Sequence, residues 1–322
     1  MTVYKVVSLF AGCGGMDLGF KGGFSSYGKE FKSHNFDIVW ANELNEKASD
    51  TYRANIGDHI ITGDIWQHLD DLPDEKIDVV LGGFPCQDIS INNIKAKGVF
   101  GERSGLYKAM VEAVDRLKPR IFVAENVKAL LNSNNKKSLE QVLKNFTDIG
   151  YNVSYKLYNT ADFGVCQTRE RVIIVGTRDC HFQHMEPMVE KKDWLTASQV
   201  LFDLEELEQD ADWSHIWSLA SRGSHQGNRK LYPDRPGYTM RAECHGNTHY
   251  HYKLDRRISM REGARIQSFP DDFIFQSKLR DTERQVGNAV PPVFAWHLAG
   301  AVYDALEGVS KPSSTGQFVM DL

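Results

Sequence analysis

Apolar residues along the chain are concentrated in short segments rich in valine, isoleucine, phenylalanine and tyrosine. Segments of this length and composition are typical of β-strands. The predicted strands cover residues 3–10, 36–43, 59–65, 77–83, 120–127, 152–159 and 171–177. The pattern therefore predicts a sheet of seven strands.

Segments with apolar residues at helical spacing separate several of these strands. The clearest has Ser138 as a candidate N-cap and Gly150 as its stop. Its apolar positions are Leu139, Val142, Leu143, Phe146 and Ile149. A second helix is predicted from Pro291 to Leu306. Strands that alternate with helices predict an α/β fold with a parallel, doubly wound sheet and helices on both faces.

The alternation of strands and helices stops after Gly176, and turn-rich sequence continues to about Arg284. We therefore predict four parts in the chain. These are a large domain at 1–176, a smaller inserted domain at 177–283, a returning helix at 284–308 and a tail at 309–322.

The composition is that of an ordinary globular protein, with 322 residues, 41% hydrophobic and 25% charged. No apolar segment approaches the roughly 20 residues of a membrane span, and no signal-peptide pattern precedes the first strand. The five cysteines are far apart and form no CxxC pair, so neither a disulfide framework nor a zinc site is indicated. We expect a cytosolic protein without a bound metal and with a thiol free to react.

The net charge of −5 conceals a segregation of charge along the chain. Residues 186–215 contain nine acids against two lysines, whereas residues 218–270 contain ten Lys/Arg against four acids, a local charge of +6. Histidines and tyrosines accompany the basic residues, and such mixtures contact phosphates and base edges. A solvated surface face is the alternative, and the charge pattern alone favours it.

One predicted strand ends at a cysteine. Val79 to Gly83 is followed by Phe84-Pro85-Cys86-Gln87, and open α/β sheets bind ligands beyond the carboxyl ends of their strands. Pro85 restricts the backbone immediately before the thiol. The strand alone leaves open the alternative that Cys86 is a small buried apolar residue.

A glycine turn follows the first strand, in Phe10-Ala11-Gly12-Cys13-Gly14-Gly15-Met16-Asp17. Such a turn lets a ligand approach the backbone closely, although it also serves a tight strand-to-helix connection. Glu43 ends the second strand, where a carboxylate can accept both ribose hydroxyls, and Asp64 ends the third, where it can accept an adenine amino group. Together they predict an adenosine site.

The fifth strand ends in Glu125-Asn126-Val127, next to the strand that precedes Cys86. A thiol beside an acid suggests nucleophilic attack with proton assistance. Arg169 and Arg171 precede the seventh strand and, because side chains alternate, are expected on one face. They are either structural ion pairs or fixed donors to a carbonyl oxygen or a phosphate.

From Val6 to about Leu306, the chain resembles the DNA (cytosine-5)-methyltransferases of the bacterial restriction-modification type. Order, spacing and residue type agree at eight motifs. These motifs are Phe10 to Gly15, Glu43, Gly63-Asp64-Ile65, Gly83 to Gln87, Glu125-Asn126-Val127, Gln167 to Arg171, Arg257 to Pro270, and Gln285 to Asn288. The resemblance implies a Rossmann-like class I methyltransferase fold with a mostly parallel, seven-stranded sheet and a smaller DNA-recognition domain.

The resemblance also implies the reaction. Cys86 would add to C6 of a flipped-out cytosine while Glu125 hydrogen-bonds N3 and the exocyclic amine, and C5 would then take a methyl group. The implied catalytic residues are Cys86, Glu125, Arg169 and Arg171.

The implied methyl donor is S-adenosylmethionine, which leaves as S-adenosylhomocysteine, with no metal. Its expected binding residues are Phe10, Ala11, Gly12, Gly14, Gly15, Glu43, Leu44, Asp64, Ile65, Pro85, Leu106, Asn288 and Ala289.

The implied substrate is a specific short sequence of double-stranded DNA. The segment from Ile91 to Leu106 resembles the family's mobile loop, and Arg257 to Pro270 is expected to support the recognition domain through ion pairs. The expected DNA-binding residues are Gln87, Ser90, Asn92, Arg103, Gln226, Thr239 and Arg241. Ordinary loop chemistry is the alternative for Gln226, Thr239 and Arg241.

We therefore expect a monomer in the bacterial cytoplasm that is associated with the nucleoid through DNA. Whether the protein has a cognate restriction endonuclease that acts independently stays open. The alternatives are a tRNA cytosine-5 methyltransferase, a catalytically inactive DNA-binding regulator, and a nucleotide-dependent oxidoreductase that would leave the Pro-Cys-Gln turn without a purpose.

Overall fold

The computed structural model describes residues 2–84, 105–219, 229–242 and 248–309. A seven-stranded sheet with the order β5-β4-β1-β6-β7-β10-β8 organises it. The strands of this sheet are β1 (Tyr4–Leu9), β4 (Phe36–Glu43), β5 (Ile60–Thr62), β6 (Val79–Gly82), β7 (Ile121–Val127), β8 (Asn152–Asn159) and β10 (Glu170–Thr177). The prediction of an α/β fold with a seven-stranded sheet is confirmed.

Four short strands form two small ladders outside the main sheet. They are β2 (Phe24–Ser26), β3 (Lys29–Phe31), β9 (Gln167–Thr168) and β11 (Gly237–Tyr238). The first two form an antiparallel hairpin, and the last two pair in parallel. The second ladder links the segment before β10 to the predicted inserted domain.

Helices cover both faces of the main sheet. They are α1 (Gly15–Lys21), α2 (Glu46–Asn55), α3 (Ile65–His68), α4 (Leu106–Leu117), α5 (Lys136–Asp148), α6 (Ala197–Leu201), α7 (Met260–Ile266), α8 (Leu279–Asn288) and α9 (Pro292–Leu306). On one face, strand residues such as Val6 pack with α1, α2 and α9, and on the other Val7 packs with α4 and α5. Because side chains alternate along a strand, one strand supplies both cores.

The strand β10 runs antiparallel to both of its neighbours, while the other four pairings are parallel. Only a short connection separates Asn159 of β8 from Glu170 of β10. A parallel crossover needs about a dozen residues or more, usually with a helix, so the chain returns antiparallel. As a result, the first residues of β10 lie at the carboxyl edge of the parallel strands.

One detail of the predicted helices is wrong. Helix α5 starts at Lys136, directly after a 3-10 turn at Ser133–Asn135, so Ser138 is a buried residue within the helix and not its N-cap. Gly150 does follow the helix, with a φ of 94°. The predicted helix at Pro291 begins at Pro292, as the first-turn preference of proline favours.

Helix α7 covers only part of the stretch from Arg257 to Pro270 that is expected to form ion pairs, so Arg257 and Gln267 lie outside the helix. The ion pairs of this region come from Arg256, which binds Glu262, and from Arg265, which binds Asp203 and Asp271. Arg261 instead donates to backbone carbonyls. Glu262 and Arg265, both within the stretch from Arg257 to Pro270, thus form the expected kind of ion pair, and the architectural role of this stretch remains a prediction.

A third apolar cluster joins residues of the predicted inserted domain, including Val200, Leu231 and Ile266, to Cys166 of the predicted large domain. The proposed division at residues 177 and 283 remains a prediction. In the described ranges, no helix is long and apolar enough to cross a membrane.

Candidate active site

Part of the predicted site lies outside the described residues. The positions concerned are Pro85, Cys86, Gln87, Ser90, Asn92, Arg103 and Gln226. The described chain stops at Phe84, just after β6, and resumes at Gly105, just before α4. Leu106, an expected cofactor residue, is the first residue of α4. The expected mobile loop from Ile91 therefore falls almost wholly outside the described residues.

The backbone that leads to Cys86 is held by Asn126. This buried side chain donates a hydrogen bond to the carbonyl oxygen of Phe84, 2.9 Å away, and its own oxygen accepts from the amide of Val127. The bond fixes the carbonyl that immediately precedes Pro85. Sequence reasoning gave no role to Asn126, although its place beside Glu125 in the matched motif was a signal.

Glu125 and Arg171 form a buried ion pair at the carboxyl edge of the sheet. The Nε atom of Arg171 lies 2.7 Å from Oε1 of Glu125, and both side chains are only 11% exposed. The antiparallel strand β10 makes this possible, because it sets Arg171 opposite Val127 at the end of β7. The other carboxylate oxygen lies over Gly83, 3.6 Å from the position that a Cβ would take there. The acid thus borders the strand end that leads to Cys86.

Arg169 has different surroundings from Arg171. It precedes strand β10, so the alternation argument does not apply to it, and its side chain is 1% exposed. Its two terminal nitrogens donate to the carbonyl oxygens of Met240, at 3.0 Å, and Gly287, at 2.8 Å. Burial, and then the charge of Arg171, lower the pKa of Arg169 well below its ordinary value. These are the contacts of a positioning residue, and its expected catalytic role stays a prediction.

The glycine turn after β1 uses its glycines in different ways. Phe10, Gly12 and Gly14 have positive φ angles of 55°, 58° and 92°. A Cβ on Gly14 would lie 2.7 Å from Ile56, and one on Gly15 would lie 2.5 Å from the carbonyl oxygen of Val290, so these two glycines permit close packing. A Cβ on Gly12 would meet nothing within 4 Å. The turn is therefore open at Gly12, where a ligand can approach the backbone.

Glu43 is directly bonded to this turn. Its carboxylate accepts the amide of Gly12 at 2.9 Å and the amide of Asn45 at 2.8 Å. Burial raises the pKa of Glu43, while these backbone hydrogen bonds oppose the rise. Beside it, Leu44 is 69% exposed. A charged acceptor and an exposed apolar side chain therefore flank the open turn.

Asp64 lies at the next strand end and caps helix α3 by accepting the amide of Trp66 at 3.1 Å. The ends of β4 and β5 are tied together, because Asn42 donates to the carbonyls of Ile61 and Gly63. The structure thus brings the turn, Glu43 and Asp64 to neighbouring strand ends. The side chain of Ile65, by contrast, is buried in the second core.

The end of α8 packs against the same turn. A Cβ on Gly15 would be 3.1 Å from the Cβ of Ala289, and the thiol of Cys13 lies 3.8 Å from the carbonyl oxygen of Gln285. Burial raises the pKa of Cys13 to about 12, so this thiol stays protonated. Ala289 therefore adjoins the turn, and the exposed Asn288 precedes it in the chain.

The predicted recognition residues Thr239 and Arg241 follow the short strand β11. The hydroxyl of Thr239 donates to the carbonyl oxygen of Thr168 at 2.7 Å, and Arg241 is exposed. Nearby, the neutral ring of His249 has its pKa lowered to about 4 by burial and by Arg229, Arg257 and Arg241. Three of the basic residues predicted from the sequence thus lie near His249, and Thr239 connects this part of the chain to the segment that leads to Arg169 and Arg171.

The sheet order, the glycine turn and the acids at neighbouring strand ends define a Rossmann-like methyltransferase fold. Among solved structures, the Dnmt2 methyltransferase of S. pombe matches with a TM-score of 0.68 and 18% identity, over 93% of this chain and 98% of that one.

The family is given by the sequence comparisons. The model of the C-5 cytosine-specific DNA methylases matches residues 4–229 and 211–304. The chain is similar to the type II methyltransferase M.NgoFVII of Neisseria gonorrhoeae, with 37% identity over 92% of this chain and 86% of the relative. It is also 32% identical to M.BbvI of Brevibacillus brevis, over 96% and 93% of the two chains. The chain therefore belongs to the C-5 cytosine-specific DNA methylases and is a DNA (cytosine-5)-methyltransferase.

Proposed function

We propose that this enzyme transfers a methyl group from S-adenosylmethionine to C5 of a flipped-out cytosine within a specific short sequence of duplex DNA. Cys86 forms a transient covalent bond to C6 of the base. The observation that carries the proposal is the buried pair of Glu125 and Arg171 beside Gly83 and Phe84, at the strand end that leads to the cysteine.

The residues at the glycine turn fit an adenosine-containing cofactor. Gly12 faces open space, Glu43 presents a carboxylate that can still accept ribose hydroxyls, and Leu44 offers an exposed apolar side chain. Asp64 lies on the next strand end, where it can accept an adenine amino group. S-adenosylmethionine, when bound, supplies a methyl group activated by a sulfonium.

The chain's own residues make the cytosine reactive. The thiolate of Cys86 adds to C6, forming a C–S bond, while the carboxyl group of Glu125 gives a proton to N3 and accepts a hydrogen bond from the exocyclic amine, so that charge developing on the ring is neutralised. Arg171 holds the carboxylate of Glu125 in place. Carbon 5 is then the nucleophilic carbon of an enamine and takes the methyl group. A base removes the C5 proton, and the C–S bond breaks to release Cys86.

Duplex DNA is the proposed substrate because C5 is inaccessible in a stacked base pair and the base must leave the helix, at a cost of a few kcal/mol. The basic residues at 229–257 are suited to phosphates and base edges. The similar type II methyltransferases favour a role in restriction-modification, in which methylation protects DNA from a cognate endonuclease. We infer a monomer that acts on DNA in the bacterial cytoplasm.

The test is incubation of the purified protein with methyl-labelled S-adenosylmethionine and either genomic DNA without cytosine methylation or tRNA. Label should enter DNA alone and appear as 5-methylcytosine, and Cys86→Ser should abolish incorporation. Label in tRNA alone would favour the RNA alternative, and DNA binding without transfer would favour an inactive regulator. Methylation at N4 of cytosine would contradict the proposed chemistry.

A further inference from the structure

Three segments meet in a buried polar contact next to the candidate active site. They are residues 167–169, the recognition segment at 239–242, and the end of helix α8 at 286–289. We name this contact the buried joint, formed by Gln167, Arg169, Met240, Gln267 and Gly287. The joint connects residues 239–242, which include predicted DNA-binding residues, with residues 286–289, which include predicted cofactor-binding residues.

The guanidinium of Arg169 spans two of these segments. One nitrogen donates to the carbonyl oxygen of Met240 in the recognition segment, and the other donates to that of Gly287 in α8. A planar fork can hold two carbonyls at a fixed separation, which the single ammonium of lysine does less well. Arg169 therefore sets the distance between the two backbones.

A pair of buried glutamines makes a second connection between the same segments. The side-chain oxygen of Gln167 accepts the amide of Met240 at 2.9 Å, and its nitrogen donates to the side-chain oxygen of Gln267. Gln267 in turn donates to the carbonyls of Val286, at 3.0 Å, and Ala289, at 2.7 Å. Both glutamines are fully buried, so a broken link would leave a costly unpaired amide.

Gly287 brings the two backbones into direct contact. A Cβ at this position would lie 2.3 Å from the amide nitrogen of Ala242 and 2.5 Å from the carbonyl carbon of Arg241. Two residues later, Ala289 packs against Gly15 of the glycine turn. Packed contacts therefore run without interruption from the recognition segment to the turn that faces the cofactor.

We propose that the buried joint couples DNA binding to cofactor binding, with Gln167, Arg169 and Gln267 as positioning residues. A displacement of residues 239–242 by DNA moves the end of α8, which carries Asn288 and Ala289. This inference rests on the proposed function, since it needs both ligands to bind. Thermodynamic linkage requires the coupling to be reciprocal, so the cofactor also changes DNA affinity by the same factor.

The test compares the affinity for S-adenosylhomocysteine with and without duplex DNA, by calorimetric titration. This product cannot donate a methyl group, so the complex does not turn over. The duplex carries the target sequence found by bisulfite sequencing of DNA methylated by the enzyme. The wild-type protein should bind the product about fivefold tighter, or more, when the duplex is present.

The variants Arg169→Lys and Gln167→Glu should reduce this ratio to under about twofold. In the absence of DNA, their affinities for the product should stay within about twofold of wild type. Arg261→Lys is the matched control, since Arg261 is an equally buried arginine that donates to the carbonyls of Trp213, Pro270 and Phe273, outside the joint. It should keep the wild-type ratio. If Arg169 were merely structural, Arg169→Lys and Arg261→Lys would change the affinity ratio equally. That result would overturn the proposal.

Hydrogen exchange of the wild-type protein provides a test that does not depend on variants folding. S-adenosylhomocysteine alone should slow exchange of the amides at residues 239–242, including the Met240 amide that Gln167 accepts. A wild-type affinity ratio of one, or unchanged exchange in this segment, would contradict the coupling. Absence of any methyl transfer by the wild-type enzyme would instead contradict the proposed function itself.

Discussion

Two ion pairs that connect the end of β7 to the start of β10 have very different surroundings. The pair of Arg171 and Glu125 is buried, with both side chains 11% exposed. The adjacent pair of Lys128 and Glu170 is open to solvent, with side chains 53% and 45% exposed. Water screens the second pair, whereas removing one partner of the first leaves a charge buried without its counter-ion.

We therefore predict that Arg171→Gln lowers the free energy of unfolding by about 3–5 kcal/mol. Lys128→Gln, the matched change in the exposed pair, should alter it by no more than about 1 kcal/mol. Urea unfolding of the three proteins at pH 7 measures both values. Equal effects of the two substitutions would show that the Glu125 pair is not buried in the way described.

A second buried carboxyl group lies under the glycine turn. Asp17 accepts hydrogen bonds from Ser8, at 2.7 Å, and from Tyr52, at 2.6 Å, and the Tyr52 hydroxyl also lies 2.9 Å from a ring nitrogen of His59. Burial raises the pKa of Asp17 from its ordinary 3.8 to about 6, against the effect of these two hydrogen bonds. Between these two pH values, the folded protein holds a proton that the unfolded chain releases.

The free energy of unfolding should therefore fall as the pH rises from about 4 to about 6, since the folded state binds more protons there. This one group contributes a decrease of about 3 kcal/mol. Asp17→Asn, which cannot ionise, should remove that contribution and lose less stability over the same interval. Urea unfolding of both proteins at several pH values checks the sign. A steeper decrease in the variant would contradict the assignment.

At the residue scale, the sequence predicted which acids lie at the strand ends but not what each side chain contacts. Glu43 and Asp64 follow strands whose ends had to be neighbours in a parallel sheet. The different contacts of Arg169 and Arg171 could not be predicted, because they depend on where β10 begins and on the approach of Met240 and Gly287 from distant parts of the chain.

Helix packing depends on glycines whose roles differ from one element to another. A Cβ on Gly19 of α1 would lie 2.4 Å from the Cβ of Ala295 and 2.6 Å from the carbonyl oxygen of Pro292, both in α9. On Gly300 of α9, a Cβ would meet only a ring carbon of His34, at 3.8 Å. The first glycine therefore permits the contact between the two helices, and the second does not restrict packing.

Gly19→Ala should destabilise the protein by about 1–3 kcal/mol, because α9 must move away from α1. Gly300→Ala should stabilise it by about 0.5–1 kcal/mol, since alanine is the better residue within a helix. Thermal or urea unfolding of the two variants gives the comparison. Stabilisation by both substitutions would mean that α1 and α9 do not pack as closely as described.

At the element scale, periodicity predicted all seven strands of the main sheet. It misplaced the start of α5, since a 3-10 turn already brings the chain into the helix before Ser138. The direction of β10 was not evident from periodicity, because a buried strand has the same apolar pattern in either orientation. The short connection from Asn159 to Glu170 contained that information.

At the scale of the whole molecule, the proposed function assigns chemistry and sequence recognition to different residues. In the proposed mechanism the catalytic residues would contact only the flipped cytosine, which carries no information about its neighbours, so other residues would have to read the flanking bases. The basic residues gathered at 229–257 are suited to this. The third apolar cluster holds residues of this region together and packs them against Cys166.

Replacing residues 186–253 with the matching segment of a relative of different specificity should transfer the recognised sequence. Methylation should still depend on Cys86, and the rate should stay measurable because Glu125 and Arg171 lie outside the exchanged segment. Bisulfite sequencing of DNA from cells that express the chimera identifies the target. An active chimera that keeps the parental target would locate recognition in the large domain.

The central claim is that Cys86 adds covalently to the target cytosine beside Glu125. The most direct measurement uses duplex DNA with 5-fluorocytosine at the target position, together with S-adenosylmethionine. Fluorine at C5 blocks the final elimination, so the wild-type protein should form an adduct with DNA that survives denaturing electrophoresis, and Cys86→Ser should form none, because a serine hydroxyl is hardly ionised near neutral pH. An adduct formed equally by the serine variant would contradict the account.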